Sequence, residues 1–533
     1  MKKSKIMCGT LCASFMVSLF AGCGGTEKSS VESITAGCPA SVPWRSYSTL
    51  KLPLDDKGTT ISVLCDTSFT NLSDSVVVKE LSRRTGLNVQ IIEVPRATVK
   101  EKARVMLASK EQMPDIFSGG FTVEEINDVA MQGAFEPINP HIDELPNFKD
   151  IFVTNGQENG VAGVFKNYAA ADGNLYMFPS FETERDVNHG ILYRKDIFDK
   201  NGIPMWNSTQ EFYEALKKLK TVYPQSTPFV SKAGTSIFNQ LGQSWGLNFP
   251  DEYYDEETAT WKHSVTDPKF KDLLDFMKKM YQEKLLDPEF LTCTQANWTT
   301  KMTQEDKAFA TFDWIGRLDS FYDQSKALVP GYDLRYGNPI GPTGKVITLP
   351  KAGPGPVAVK GKNSALSLKL MDYLISPSGA QLMTMGVEGQ TYQLNEKGFA
   401  EYLDMPTDHT IGITDLEEKY GMFLSGLYRR FDKRCIYFNL TDKEKEAQDL
   451  MRNKPDGGFL PEDPVLTFTA EEKKRKTDCA TKIQKAAYEF VSKYVLNSGG
   501  NAEWTAWLAQ AENIGAKEVI TICNQAQERY NNK

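Results

Sequence analysis

Few residues in this chain are spaced for bond-making chemistry. The four histidines, His141, His189, His263 and His409, stand apart from one another, and there is no HExxH metal motif. No nucleophile elbow is read from the chain. Its one Ser-x-x-Lys spacing, Ser48 to Lys51, has no Lys-Thr-Gly downstream. Carboxylates are plentiful: Asp251-Glu252, Asp255-Glu256-Glu257, Asp313, Asp319 and Glu388. A glycosidase needs two of them about 5–9.5 Å apart across a bond, and the run at 251–257 reads as a solvated acidic face. Reversible binding of a hydroxylated ligand asks for something else: aromatic plates for apolar ring faces, and Asp, Glu, Asn or Arg for hydroxyls, in a cleft that excludes water. Trp314 is the leading plate, at the end of the apolar run Ala308–Phe312 and just before Arg317. Trp298, Trp245 and Tyr392 are further aromatic candidates, with packing inside a domain as the alternative for each. Glu388 and Asp66 are candidate acceptors, while Trp504 and Trp507 read as packing residues.

These side chains need elements that point them at one place. Thr60–Leu64 reads as a strand, Ser75–Thr85 as a helix stopped by Gly86, and Asn88–Ile92 as a second strand. Val99–Ser109 reads as a helix, and Pro114–Phe117 as a third strand leading into Gly119-Gly120. Strand, helix, strand, helix, strand is the rhythm of a parallel sheet covered by helices. Ligands of such sheets sit beyond the carboxyl ends of the strands. That placement makes Asp66-Thr67 and Ser118-Gly119-Gly120-Phe121 candidate site segments. Ser208, with Glu211 three residues on, predicts a capped helix from Phe212 to Lys220.

The start of the chain has its own chemistry. Lys2, Lys3 and Lys5 precede an uncharged run from Ile6 to Phe20, then Ala21-Gly22-Cys23. Charge, apolar run and small residues in that order read as a secretory signal, too short for a membrane span of roughly 20 apolar residues. The Ala-Gly-Cys junction resembles the lipobox of bacterial lipoproteins. The resemblance implies a diacylglycerol on the Cys23 thiol, although Phe20 stands where that pattern usually has Leu, Val or Ile. Residues 1–22 would be removed and 23–57 would be a flexible tether.

From 172 onward the chain reads Asp-Gly-Asn-Leu-Tyr-Met-Phe-Pro, then Ile191–Phe198, then Asn201-Gly202-Ile203-Pro204. Further on come Leu285–Phe290, Trp298, Lys307–Trp314, Ser376-Pro377-Ser378-Gly379 and Gly386–Tyr392, with amphipathic helices at the end. In that order these segments resemble family 1 extracellular solute-binding proteins, from about Thr59 to the end of the chain. The resemblance implies an α/β, two-lobed periplasmic-binding-protein-like fold of type II. Each lobe would be a mostly parallel sheet flanked by helices, and the two would be joined by a hinge. Lobe one would take about 58–180 with 357–392, and lobe two about 181–356 with 393–533, the lobe of the charge- and proline-rich stretch 396–480 staying open. It further implies a lipid-anchored importer component on the outer face of the bacterial cytoplasmic membrane, monomeric, closing on a carbohydrate and delivering it to ABC transporter permease subunits. The alternatives are a peptide or other polar solute, and a secreted glycoside hydrolase. Trp314 resembles the family's stacking aromatic in position. Many long members carry a calcium loop after the first lobe-two helix; here Tyr223-Pro224-Gln225-Ser226-Thr227-Pro228 offers no carboxylate cluster. No metal and no cofactor are expected.

Bulk numbers fit this reading. The 533 residues suffice for two lobes, each with its own core. A formal charge of −8, more negative once the three signal lysines leave, argues against nucleic acid as a partner. Beyond the signal and Cys23, six cysteines remain: Cys38, Cys65, Cys293, Cys435, Cys479 and Cys523. Their spacing fits no zinc or CxxC pattern. Cys65, in an apolar run, reads as a buried hydrophobe, and pairing among the six stays open.

Overall fold

The computed structural model describes residues 49–406, 411–455, 457–497 and 499–532. The signal segment, Cys23, Cys38, His409 and most of the expected tether lie outside the described residues. The first lobe opens with β1 (Thr60–Asp66), α1 (Val76–Thr85), β2 (Asn88–Val94), α2 (Val99–Ser109), β3 (Ile116–Phe117) and α3 (Val123–Ala130). The Ser75 side chain caps α1, and Gly86 ends it in the left-handed region at φ 73°. β1 pairs in parallel with β2 and β3, as the strand–helix rhythm predicts.

The chain then crosses to the second lobe and adds β4 (His189–Arg194), α4 (Thr209–Val222), β5 (Ala310–Trp314), α5 (Arg317–Ser325) and β6 (Leu334–Tyr336). Here the expected mostly parallel sheet is not what forms. β4 lies between β5 and β6 and pairs antiparallel with both. Parallel pairing in this lobe comes as isolated bridges, from Phe229 to Ala310 and Leu286 and from Val346 to Phe459. The reason is direction: β4 carries the chain away from the crossing, whereas β5 runs back, so that Trp314 ends opposite His189.

β7 (Val357–Ala358) closes the first-lobe sheet antiparallel to β3, in the order β2-β1-β3-β7. Helix α6 (Ser364–Ile375) follows. The sequence boundaries assign 393–533 to lobe two, and the side chains correct this. Ala400, Tyr402, Leu416, Leu424, Leu427, Phe431 and Cys435 all pack in the first core. The return to lobe two comes after Cys435, with α7 (Asp442–Arg452), whose Ala447 and Met451 join a lobe-two cluster. α8 (Ala470–Leu496), α9 (Asn501–Ile514) and α10 (Ala516–Asn531) bury Tyr494, Trp507 and Cys523 in the second core. The tether boundary also shifts. Leu50, Leu52 and Leu54 pack on the first core, and the Leu54 N–H donates to the Thr85 carbonyl at 2.7 Å.

Three segments run between the lobes. Phe178, Ser180 and Glu182 donate their N–H groups to the carbonyls of Pro356, Gly353 and Lys351, so the first two crossings lie side by side. The third passes Arg429, whose carbonyl accepts from the Phe181 N–H at 2.8 Å. Cys65, Cys293, Cys435, Cys479 and Cys523 are free thiols. Cys65 is fully buried, and burial pushes its thiol up to about 12. No helix among the described residues is long and apolar enough to cross a membrane.

A lobe-two hairpin, Glu252–Asp255 with Thr260–His263, ends on a histidine that is 4% exposed and whose Nδ1 has no partner among the described residues. Burial lowers the His263 pKa from 6.5 to about 4, with Glu252 opposing and Lys476 reinforcing. The unfolded chain takes up a proton below pH 6.5 that the folded chain refuses until about pH 4. The neutral ring therefore contributes about 3 kcal/mol of stability above that window, lost as pH falls through it. Urea midpoints should drop between about pH 7 and pH 5, and His263→Asn should flatten that dependence. A parallel pH dependence in the variant would remove His263 as its source.

Candidate functional site

Trp314 closes β5 at the sheet edge where the chain enters lobe two. Its indole is 42% exposed, and its Nε1–H donates to Asn188 Oδ1 at 3.1 Å. The ring lies against the backbone of Gly316, where a Cβ would stand 2.3 Å from indole carbons. One face is thus covered by glycine and the indole edge is pinned by an amide. Gly316→Ala should tilt the plate and weaken ligand binding by about tenfold, roughly 1.4 kcal/mol, as read by calorimetric titration. Unchanged affinity would mean that ring orientation does not matter.

Beneath this plate lies Asp313, 7% exposed. Its Oδ1 accepts the Trp314 backbone N–H at 2.8 Å and Arg317 Nε at 3.4 Å, while its Oδ2 takes Lys232 Nζ at 2.7 Å. Lys232 follows the Phe229–Val230 segment that runs beside β5, and its Nζ sits 4.1 Å from the Trp298 ring centroid. Partial desolvation lowers the His189 pKa, with Asp313 opposing and Lys232 reinforcing.

On the first lobe, Asp66 closes β1 with its Oδ1 shut off from solvent and without a partner among the described residues. A Cβ on Gly119 would lie 3.6 Å from the Asp66 carboxyl carbon, so the Ser118-Gly119-Gly120 turn passes beside it. Thr67 Oγ1 donates to Glu417 Oε1 at 2.7 Å, and Arg96 stands 3.7 Å from the other Glu417 oxygen. Burial raises the Glu417 pKa, against the Thr67 hydrogen bond and the Arg96 charge. The two groups flank the crossing segments. Asn188 leads out of the first crossing, and in the third burial raises the Tyr428 pKa, with Glu184 and Asp66 adding to it and Arg429 and Arg96 opposing.

The structure does not bring all candidate residues together. Trp298 is fully buried in lobe two, its Nε1–H bonded to Thr311 Oγ1 at 2.9 Å. Trp245 is 3% exposed and tilts against Phe276 in the second core. Tyr392 is fully buried in the first lobe, and its hydroxyl accepts from Gln381 Nε2 at 2.7 Å. These three have no ring face open to a ligand in this conformation. Glu388 is exposed on the turn before Tyr392, with no hydrogen bond or ion pair to Asp66 or Trp314. Trp314 and Asp66 lie at strand ends, and Arg317 opens α5. Lys232, Asn188, Gly316 and Glu417 are the residues that sequence reasoning missed.

Gly242-Gln243-Ser244-Trp245-Gly246 has the Gly-x-Ser-x-Gly spacing. A nucleophile elbow exposes its serine between a strand and a helix. Here Ser244 follows the short helix Ile237–Gly242, is 6% exposed, donates to the Leu241 carbonyl and accepts the Gly341 N–H. It is a structural hydroxyl joining two segments.

Residues 67–381 match the profile of a family described as bacterial extracellular solute-binding protein. The chain belongs to that family. The two lobes of this solute-binding protein recur in solved structures, at identities that speak for the fold. The alginate-binding protein AlgQ2 without calcium ion superposes with TM-score 0.66 at 22% identity, over 90% of this chain and 100% of that one. A solute-binding protein from Bifidobacterium longum infantis, described as binding HMO, gives 0.67 at 17% over 89% and 99%. FusA of S. pneumoniae in complex with kestose gives 0.63 at 17% over 89% and 100%. Lipoprotein LipO of Bacillus subtilis (strain 168) is 23% identical over 346 residues, spanning 60% of this solute-binding protein and 65% of LipO.

Proposed function

We propose that this solute-binding protein captures an oligosaccharide between its lobes and releases it to an ABC-type importer, without chemistry on the ligand. The observation that carries the reading is Trp314: a large exposed plate, backed by Gly316 and pinned by Asn188, at the strand ends beside the crossing. Soluble proteins hold such a ring half in solvent at a cost unless a ligand covers it. On the other lobe Asp66, half-buried at the end of β1, offers a carboxylate to hydroxyls. The printed ligands of the structural neighbours, alginate, HMO and kestose, support a saccharide. A glycan-panel thermal-shift screen tests it, since a ligand bound only by the folded state raises the melting temperature. An oligosaccharide should do so and be recovered intact. Stabilisation by peptides alone, or hydrolysis of the glycan, would overturn the reading.

The proposal includes a lipid anchor at Cys23, supported by the Ala21-Gly22-Cys23 junction and by the likeness to a lipoprotein. Expressed in a bacterial host, Cys23→Ala should leave the detergent phase and appear as soluble protein or unprocessed precursor. Equal detergent partitioning of wild type and variant would contradict the anchor.

A further inference from the structure

The two binding walls differ in what they ask of a ligand. On lobe one the strand end presents an acceptor, the half-buried Asp66 carboxylate, while Glu417 is already engaged by Thr67 and Arg96. On lobe two the surplus is of donors. Lys232 and Arg317 share the single carboxylate of Asp313, one on each oxygen, with side chains 24% and 27% exposed. Apart from the Nε contact at 3.4 Å, the Arg317 guanidinium has no hydrogen-bond partner among the described residues, and the remaining Lys232 protons have none. Other charged groups nearby do not cancel this. Asp319, in the first turn of α5, accepts from the Thr441 hydroxyl at 2.6 Å. One positive charge is left over at the edge of the Trp314 plate, carried partly by a guanidinium whose open fork matches a carboxylate.

We infer that the lobe-two subsite selects a uronic acid residue of the saccharide, its ring on Trp314 and its carboxylate on Arg317 and Lys232, with its hydroxyls donating to Asp66. A neutral sugar would leave the Arg317 donors unmet when the cleft closes, whereas a sugar acid supplies both an anion for one wall and donors for the other. The inference rests on the saccharide reading above and narrows it.

The test is calorimetric titration of the mature protein with a panel of uronate oligosaccharides and their carboxyl-reduced counterparts, at low and high salt, with tetraglutamate as an acidic peptide arm. A uronate ligand should bind about tenfold or more tighter than its reduced form, a difference of at least ~1.4 kcal/mol. The gap should shrink with salt and in Lys232→Met and Arg317→Gln. Should either variant fail to fold, the wild-type gap and its salt dependence decide the matter. Reduced forms binding as tightly as uronates, with affinity still lost in Trp314→Ala, would overturn this inference and leave the saccharide reading standing. Tetraglutamate binding in place of both glycan forms, or no glycan binding at all, would overturn both.

Discussion

Trp314→Ala should cut ligand affinity roughly ten- to several-hundred-fold, about 1.5–4 kcal/mol, the range of a recognition hot spot. Its melting temperature should stay near that of wild type. Both halves follow from placement. At 42% exposure the indole contributes little core burial, so truncation opens no closed cavity. What is lost is a plate whose orientation is already fixed by Gly316 and Asn188, so that stacking costs little further ordering. The Asn188 amide, freed of its indole donor, can bond water. Calorimetric titration and thermal melting on the one variant separate the two readings. A melting temperature far below wild type with affinity intact would make Trp314 a packing residue.

Trp298→Ala should do the reverse. This side chain is fully buried, tilted against Phe321 at 4.9 Å between ring centroids, with its Nε1–H on Thr311. Truncation removes a large apolar surface and leaves a cavity in lobe two, at about 3–5 kcal/mol. It also leaves the Thr311 hydroxyl without its donor and takes away the ring under Lys232. The urea midpoint should fall sharply at an unchanged m-value. Affinity in the fraction that stays folded should fall less than in Trp314→Ala. A midpoint within error of wild type would mean that Trp298 is not the pillar of that cluster.

These two tryptophans also mark the limit of what the sequence disclosed. Both lie near β5 and both read as candidate plates; only pairing and packing separate them. Trp314 ends the strand and turns outward over a glycine, while Trp298 sits on a helix whose face is pressed into the sheet. The first-lobe rhythm was legible because β1, α1, β2 and α2 are local and regularly capped. The antiparallel second sheet was not, because strand direction there depends on where the chain re-enters. The lobe of residues 393–435 was not legible for a similar reason: their apolar positions are short and scattered, and only tertiary contacts choose their core. Asp66 was legible from its place at a strand end. Glu417 was not, since its link to Thr67 spans 350 residues of chain. Lys232 carries no local sign either, as a lysine after two apolar residues resembles any strand exit.

The central claim is that ligand is held between the lobes as they close on it. Small-angle X-ray scattering of the mature protein, with and without a saturating glycan from the thermal-shift screen, addresses this directly. Rotation of the lobes about the three crossing segments should give a smaller radius of gyration in the bound state, with Trp314→Ala requiring more ligand to reach it. A radius unchanged at saturation would contradict closure and place the ligand on one lobe alone.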